Sequence, residues 1–237
     1  MSKDAFGGNT KGYVFYARYL PALLTSVPFL ILLNFLRIRF ADEYMLNYLD
    51  IIPYLIQAGL SVAMIFLQIQ LNRFVSKELF QRTIFKDELD MPTTRMLLWN
   101  NSYFDESTKN MLHKKISEKY DVLLATAEEE KTNEKEARKR ASIGVSQIRN
   151  SLRGNANFNQ HNREYGFVRN LVGGSFVALI VSLVIFIFAV ILCDVSLRTL
   201  AVIMLVAYLP LVLFCNTLIN KYGEYFAKSL FEQFLSL

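Results

Sequence analysis

Four long apolar runs, two on each side of a charged middle, constrain this chain more than anything else in it. They cover 19–36, 51–71, 171–193 and 199–219, each close to the ~20 residues a helix needs to cross the hydrocarbon core of a bilayer. A segment such as LVGGSFVALIVSLVIFIFAVILC is apolar on every face, which a helix in water tolerates only when wholly buried. The expected fold class is an all-α membrane protein, with four transmembrane helices in two hairpins flanking a small cytoplasmic helical domain. The expected boundaries are 1–73 for the N-terminal segment and transmembrane helices 1 and 2, and 74–168 for the cytoplasmic helical domain. Residues 169–220 then hold transmembrane helices 3 and 4, and 221–237 form a C-terminal interfacial amphipathic helix.

Charge sets the expected orientation. Residues 73–169 hold eighteen of the twenty-six Lys and Arg, whereas the connectors between paired runs hold only Arg37, Arg39 and Arg198. The positive-inside rule therefore places the middle and both termini in the cytoplasm. No small-residue cleavage site follows the first run, so it is expected to stay as a span. Cys193 and Cys215 fall near opposite ends of their spans and are not expected to bridge. His113 and His161 lack partners at ligand spacing, so no metal site is expected and no cofactor is implied by the residues.

The second run carries a polar stripe. At 100° per residue Asp50, Gln57, Ser61, Met64, Gln68 and Asn72 share one sector, while Leu55, Ile56, Leu60, Ile65 and Phe66 point elsewhere. Polar groups do not face lipid unpaired, so the stripe either lines a water-filled pore shared by a homo-oligomer or makes interhelical hydrogen bonds. In the third run Gly174, Ala178 and Ser182 recur every four residues as a small-residue ridge for helix packing. Pro210 predicts a bend in the fourth.

Within the middle, a helix over 74–88 is broken by Leu89-Asp90-Met91-Pro92. Asp105 is placed to cap a helix ending near Tyr120, and Thr132 to cap another ending at Gly154. On this last helix Arg138, Lys139, Arg140, Arg149 and Arg153 are the candidate nucleic-acid-binding residues, since guanidinium forks suit phosphate. The amide-rich stretch 155–162 offers partners for base edges, and Phe158 or Tyr165 a ring for stacking on an unpaired base. The alternative is that the arginines meet headgroups or the acidic 128–136 segment and the amides form a hydrogen-bonded turn. Catalysis is not expected, because phosphate-binding and nucleophile-elbow motifs are absent. Arg153 and His161 depart in spacing from the Arg–His pair of membrane-linked HEPN ribonucleases, and Gly154 interrupts the helix that would carry both.

The segments Leu89-Asp90-Met91-Pro92-Thr93-Thr94-Arg95 and Asn162-Arg163-Glu164-Tyr165-Gly166-Phe167-Val168-Arg169-Asn170, followed by Leu171-Val172-Gly173-Gly174-Ser175, resemble a family of small bacterial membrane proteins found beside nucleotidyltransferases in anti-phage operons, the membrane effectors of Hailong defence systems. The resemblance covers the middle and third run better than the first two. It implies a homotetrameric inner-membrane ion channel kept shut by short single-stranded DNA oligomers, which a nucleotidyltransferase encoded nearby would make. Infection would then open the pore and depolarise the membrane. The alternative from another class is a non-conducting membrane scaffold whose cytoplasmic helices recruit a protein partner.

Overall fold

A computed structural model of the chain describes residues 12–40 and 51–237, with the side chains of 37–40, 51–58 and 60 left aside. Every regular element among the described residues is helical. A π-helical turn, Phe15–Tyr19, leads into α1 (Leu20–Phe40). Helix α2 (Ile51–Ser76) runs into a second π-helical stretch, Lys77–Ile84. Then come α3 (Pro92–Met96), α4 (Glu106–Tyr120), α5 (Ala127–Thr132), α6 (Glu134–Ser151), α7 (Ala156–Ile191), α8 (Val195–Leu213) and α9 (Cys215–Leu235).

Three helical segments among the described residues are long and apolar enough to cross a membrane: Gly12–Leu36, Ala156–Ile191 and Val195–Leu213. No more than 33% of any of their apolar windows is buried within the chain. Large side chains such as Ile187, Ile191, Ile203 and Val206 point outward, an apolar surface too continuous for water and ordinary for lipid. At 1.5 Å per residue α7 is about 54 Å long, well beyond a ~30 Å hydrocarbon core.

The chain divides into two compact units. The apolar unit comprises Phe15–Ser76 and Phe167–Cys215. Its core is built by α7 and α8, where Ala178, Val181, Ile185 and Ala189 meet Leu197, Ala201 and Met204, with Phe29, Leu32 and Phe35 of α1 packed on them. The Tyr208 hydroxyl donates to the Leu24 carbonyl at 2.6 Å, tying α8 to α1. A tight turn joins α7 to α8, with Cys193 in the left-handed region (φ 54°) and the Asp194 carboxylate capping α8 by accepting from the Leu197 amide at 2.9 Å. Both cysteines are free thiols.

The insert unit contains Lys77–Gly166 together with Asn216–Leu237. The C-terminal segment, expected as a separate interfacial helix, thus belongs to the same compact unit as the insert. Of the apolar residues read as facing headgroups, Phe226, Leu230, Phe231 and Phe234 of α9 are almost wholly buried, while Tyr225 is exposed. Phe226 lies against Phe158 and Tyr165, Phe231 against Phe104, and Phe234 against Tyr120. An amphipathic pattern is the same whether its apolar face meets lipid or protein, and here protein won. The helix of the fourth apolar run ends earlier than expected, for α8 ends at Leu213 and α9 begins at Cys215, three and five residues beyond Pro210.

Caps define the insert's helices. Asp105 accepts from the Thr108 amide, as the sequence predicts, and α4 closes at Asp121 with φ 55°. The cap of α6 is Asn133, one residue after the expected Thr132, and α5 begins with a reciprocal capping box between Thr126 and Glu129. Asn155 caps α7 by accepting from the Phe158 amide at 2.9 Å, so the amide-rich stretch is the first turns of a helix, not a loop.

Two buried charges organise the 97–101 backbone. Glu130 accepts from the amides of Trp99 and Asn100 at 2.7 and 3.0 Å. The Lys109 ammonium donates to the carbonyls of Trp99 and Asn101. His113 contacts the Leu97 carbonyl at 2.8 Å and lies beside the Trp99 ring. Burial pushes the His113 pKa below the ordinary histidine value.

Candidate functional site

Each unit holds one cluster of polar side chains that the sequence marks out. In the apolar unit it is the C-terminal half of α2. Gln68 and Asn72 are 1% exposed and Thr25 of α1 is wholly buried. Gln68 donates to Asn72 Oδ1 at 2.7 Å and to Thr25 Oγ1 at 3.2 Å. Asn72 Nδ2 donates to Thr25 Oγ1 at 2.8 Å, and the Thr25 hydroxyl donates to the Pro21 carbonyl at 2.9 Å. Thr25 thus bonds back to the carbonyl one turn earlier on its own helix.

Of the six expected pore-lining residues, Gln68 and Asn72 thus make interhelical bonds to Thr25, the alternative the sequence also left open for the stripe. Ser61 and Met64, higher on the same face, are partly exposed. Asp50 and the side chain of Gln57 lie outside the described residues.

The small-residue ridge of α7 explains how α2 comes so close. A Cβ on Gly174 would strike the Asn72 side chain, and one on Gly173 would lie 3.0 Å from the Ser76 amide and 3.1 Å from the Asn72 carbonyl. Ser76 Oγ donates to the Asn72 carbonyl and is also 2.9 Å from the Arg169 carbonyl. Ala178 and Ser182, the next members of the ridge, are wholly buried, and Ser182 returns its hydroxyl to the Ala178 carbonyl at 2.7 Å. At the other end, Asn170 donates to the carbonyl of Ala17, inside the π-helical turn, where the altered ladder turns a backbone group toward a neighbour.

In the insert unit the basic face of α6 is already occupied by carboxylates. Arg138 reaches Asp90 at 2.8 Å, the Leu89 carbonyl at 3.0 Å and Glu134 at 2.6 Å. Arg149 pairs with Glu88 at 3.0 Å. Lys139 lies 3.5 Å from Glu136, and Arg140 sits 3.6 Å from Glu129 and 4.0 Å from Glu136. Arg153 is exposed and donates to Asn150 at 2.8 Å. The Lys86 ammonium and then the Arg138 guanidinium hold the Asp90 carboxyl below its ordinary pKa.

The rings expected to stack on a base are not available for it. Phe158 and Tyr165 are 2% and 6% exposed and pack on Phe226. Three residues central to these clusters escaped sequence reasoning. Thr25 was one hydroxyl in an apolar run, though its place four residues after Pro21 was a signal. Glu88 and Asp90 flank the Leu89 of a helix break, and their spacing from α6 is a tertiary fact. Comparisons with protein-family models, curated proteins and solved structures find no match to this chain.

Proposed function

We propose that the chain is one subunit of a homo-oligomeric, tetrameric channel of the bacterial inner membrane, with four spans and with both termini and the insert in the cytoplasm. A short single-stranded DNA oligomer made by a nucleotidyltransferase encoded nearby holds it closed through the insert. Loss of that oligomer on infection opens it and depolarises the membrane, an anti-phage effect. The observation that carries this reading is the Thr25–Gln68–Asn72 cluster. Its polar groups satisfy one another, and water can satisfy the same groups at little net cost. Two arrangements of α2, one paired and one wetted, are then close in free energy, which is the property a gate needs. The cluster is in line with Ser61 and Met64 on the same sector of the helix.

For the oligomer, Lys139 and Arg140 of α6 and Arg153 in the turn just after it are accessible cations, with side chains more than a third exposed for the first two. Phosphates held there would bridge subunits by charge alone, with no ring stacking from Phe158 or Tyr165. Purified protein in liposomes tests both parts. An ion leak suppressed by short single-stranded DNA is the expected result, and vesicles that stay tight with and without DNA would refute conduction. The second reading, a scaffold that recruits a protein partner, is favoured by the bonds of Gln68 and Asn72 to Thr25 of the neighbouring helix, and tight vesicles are its expected outcome.

A further inference from the structure

Lys86, Asp87 and Glu88 follow one another with φ of 44°, 56° and 74°. Three successive side-chain-bearing residues in the left-handed region are costly, because each brings its Cβ against a carbonyl oxygen and none is glycine. Something outside the turn has to favour it. The backbone bonds that close it, Phe85 to Phe80, Asp87 to Gln81 and Asp90 to Phe85 at 2.8–2.9 Å, are local and could be matched by a relaxed helix. The contacts that a relaxed helix could not keep are those to α6: Glu88 with Arg149, Asp90 with Arg138, and the Leu89 carbonyl with Arg138. Both arginines are mostly covered, with side-chain exposures of 33% and 20%, so these pairs are less screened than the surface pairs elsewhere on α6.

We propose that Glu88 and Asp90 are a built-in anionic occupant of the Arg138–Arg149 face, and that this contact latches residues 86–90 in their left-handed turn. The two carboxylates stand where the oxygens of an outside polyphosphate would bind. An anion that takes the arginines must displace the turn, and displacing the turn frees the segment that directly follows Lys77–Ile84. The latch belongs to the insert unit alone and stands whether or not the chain conducts.

Two measurements on the full-length chain in detergent test it. Hydrogen exchange at the amides of 85–91 should quicken at least tenfold in the Arg138→Gln, Arg149→Gln double variant, with the amides of α4 unchanged. Adding Asp87→Gly, which removes left-handed strain and touches neither pair, should recover part of the protection. Unchanged exchange at 85–91, or an equal rise throughout the insert, overturns the latch. Separately, inorganic tripolyphosphate should bind the Glu88→Gln, Asp90→Asn variant at least tenfold more tightly than the parent chain, and the gain should vanish when Arg138→Gln and Arg149→Gln are added. Equal affinities for the first two proteins overturn the role of the carboxylates as occupants.

Discussion

Replacing Phe226 by alanine discriminates between a C-terminal helix that builds the insert and one that rests on headgroups. Phe226 is 2% exposed, and the ring centroids of Phe158 and Tyr165 lie 5.4 and 5.6 Å from its own. Core Phe→Ala substitutions cost about 3–5 kcal/mol in lost transfer energy and cavity, and two aromatic neighbours put this site toward the upper part of that range. At ~1.4 kcal/mol per decade the folding equilibrium of the insert falls by at least about a hundredfold. With a urea dependence of ~1–3 kcal/mol per molar, the midpoint drops by about 1 M or more. Trp99 is the only tryptophan of the chain. It donates its indole N–H to the Ala125 carbonyl at 2.8 Å inside the insert, so its fluorescence follows this unit specifically. Tyr225, next in sequence and 47% exposed, is the control, and Tyr225→Ala should shift stability by no more than about 0.5 kcal/mol. Equal, small shifts for the two variants would show that α9 does not build the core, and the interfacial reading would return.

The stability of the insert should fall as pH drops below the ordinary histidine pKa of ~6.5, because unfolded His113 takes up a proton that the buried ring resists. The loss should saturate once the pH passes below the folded-state pKa, and His113→Gln should flatten the Trp99-monitored midpoint across that window. Gly173→Ala should destabilise the packing of α2 on α7 by about 1–3 kcal/mol, since the new methyl meets backbone atoms of Asn72 and Ser76 that cannot rotate away, and a denaturing-detergent titration reads the change. Asn72→Ala removes the bonds to Gln68 and Thr25. Only the bond to Thr25 crosses between helices, so at ~0.6 kcal/mol for each interhelical bond in a bilayer it should cost about 0.6 kcal/mol in the same titration, and in liposomes it should raise the leak of a channel while leaving a scaffold tight.

What the sequence made legible follows the reach of each signal. Apolar length is a property of the chain itself, so the runs 19–36, 171–193 and 199–219 could be read directly, and they fall in or overlap the helices Gly12–Leu36, Ala156–Ile191 and Val195–Leu213, which are long and apolar enough to cross a membrane. Small-residue spacing is nearly as local, and Gly174, Ala178 and Ser182 do lie in tightly packed positions. Caps were legible to within a residue or so: Asp105 does cap, but Asn133 displaces Thr132 because two adjacent residues both offer an oxygen at the right spacing. Partner identity was not legible. The α9 pattern fits lipid or protein equally, and only the presence of Phe158, Tyr165 and Phe104 opposite it settles the matter. The amides of 155–162 read as a turn because a cluster of Asn is a loop signal by composition. Asn155 spends that signal on a single cap, and the remaining residues continue as helix.

The same limit governs the charged residues, with a consequence for mechanism. A basic helical face is an anion site only if its own chain leaves it vacant, and the carboxylates that fill this one arrive from the helix break at Leu89, some fifty to sixty residues before the arginines they meet. Arg138 and Arg149 therefore differ from Lys139, Arg140 and Arg153 in kind. Substituting the first pair disturbs a strained turn even when no ligand is present, whereas substituting the other three changes little but surface charge. Any loss of regulation produced by Arg149→Glu has two independent causes, a weaker hold on an outside anion and a repelled Glu88. Glu88→Gln alone separates them, because it breaks the contact to the turn while leaving Arg149 available to the anion.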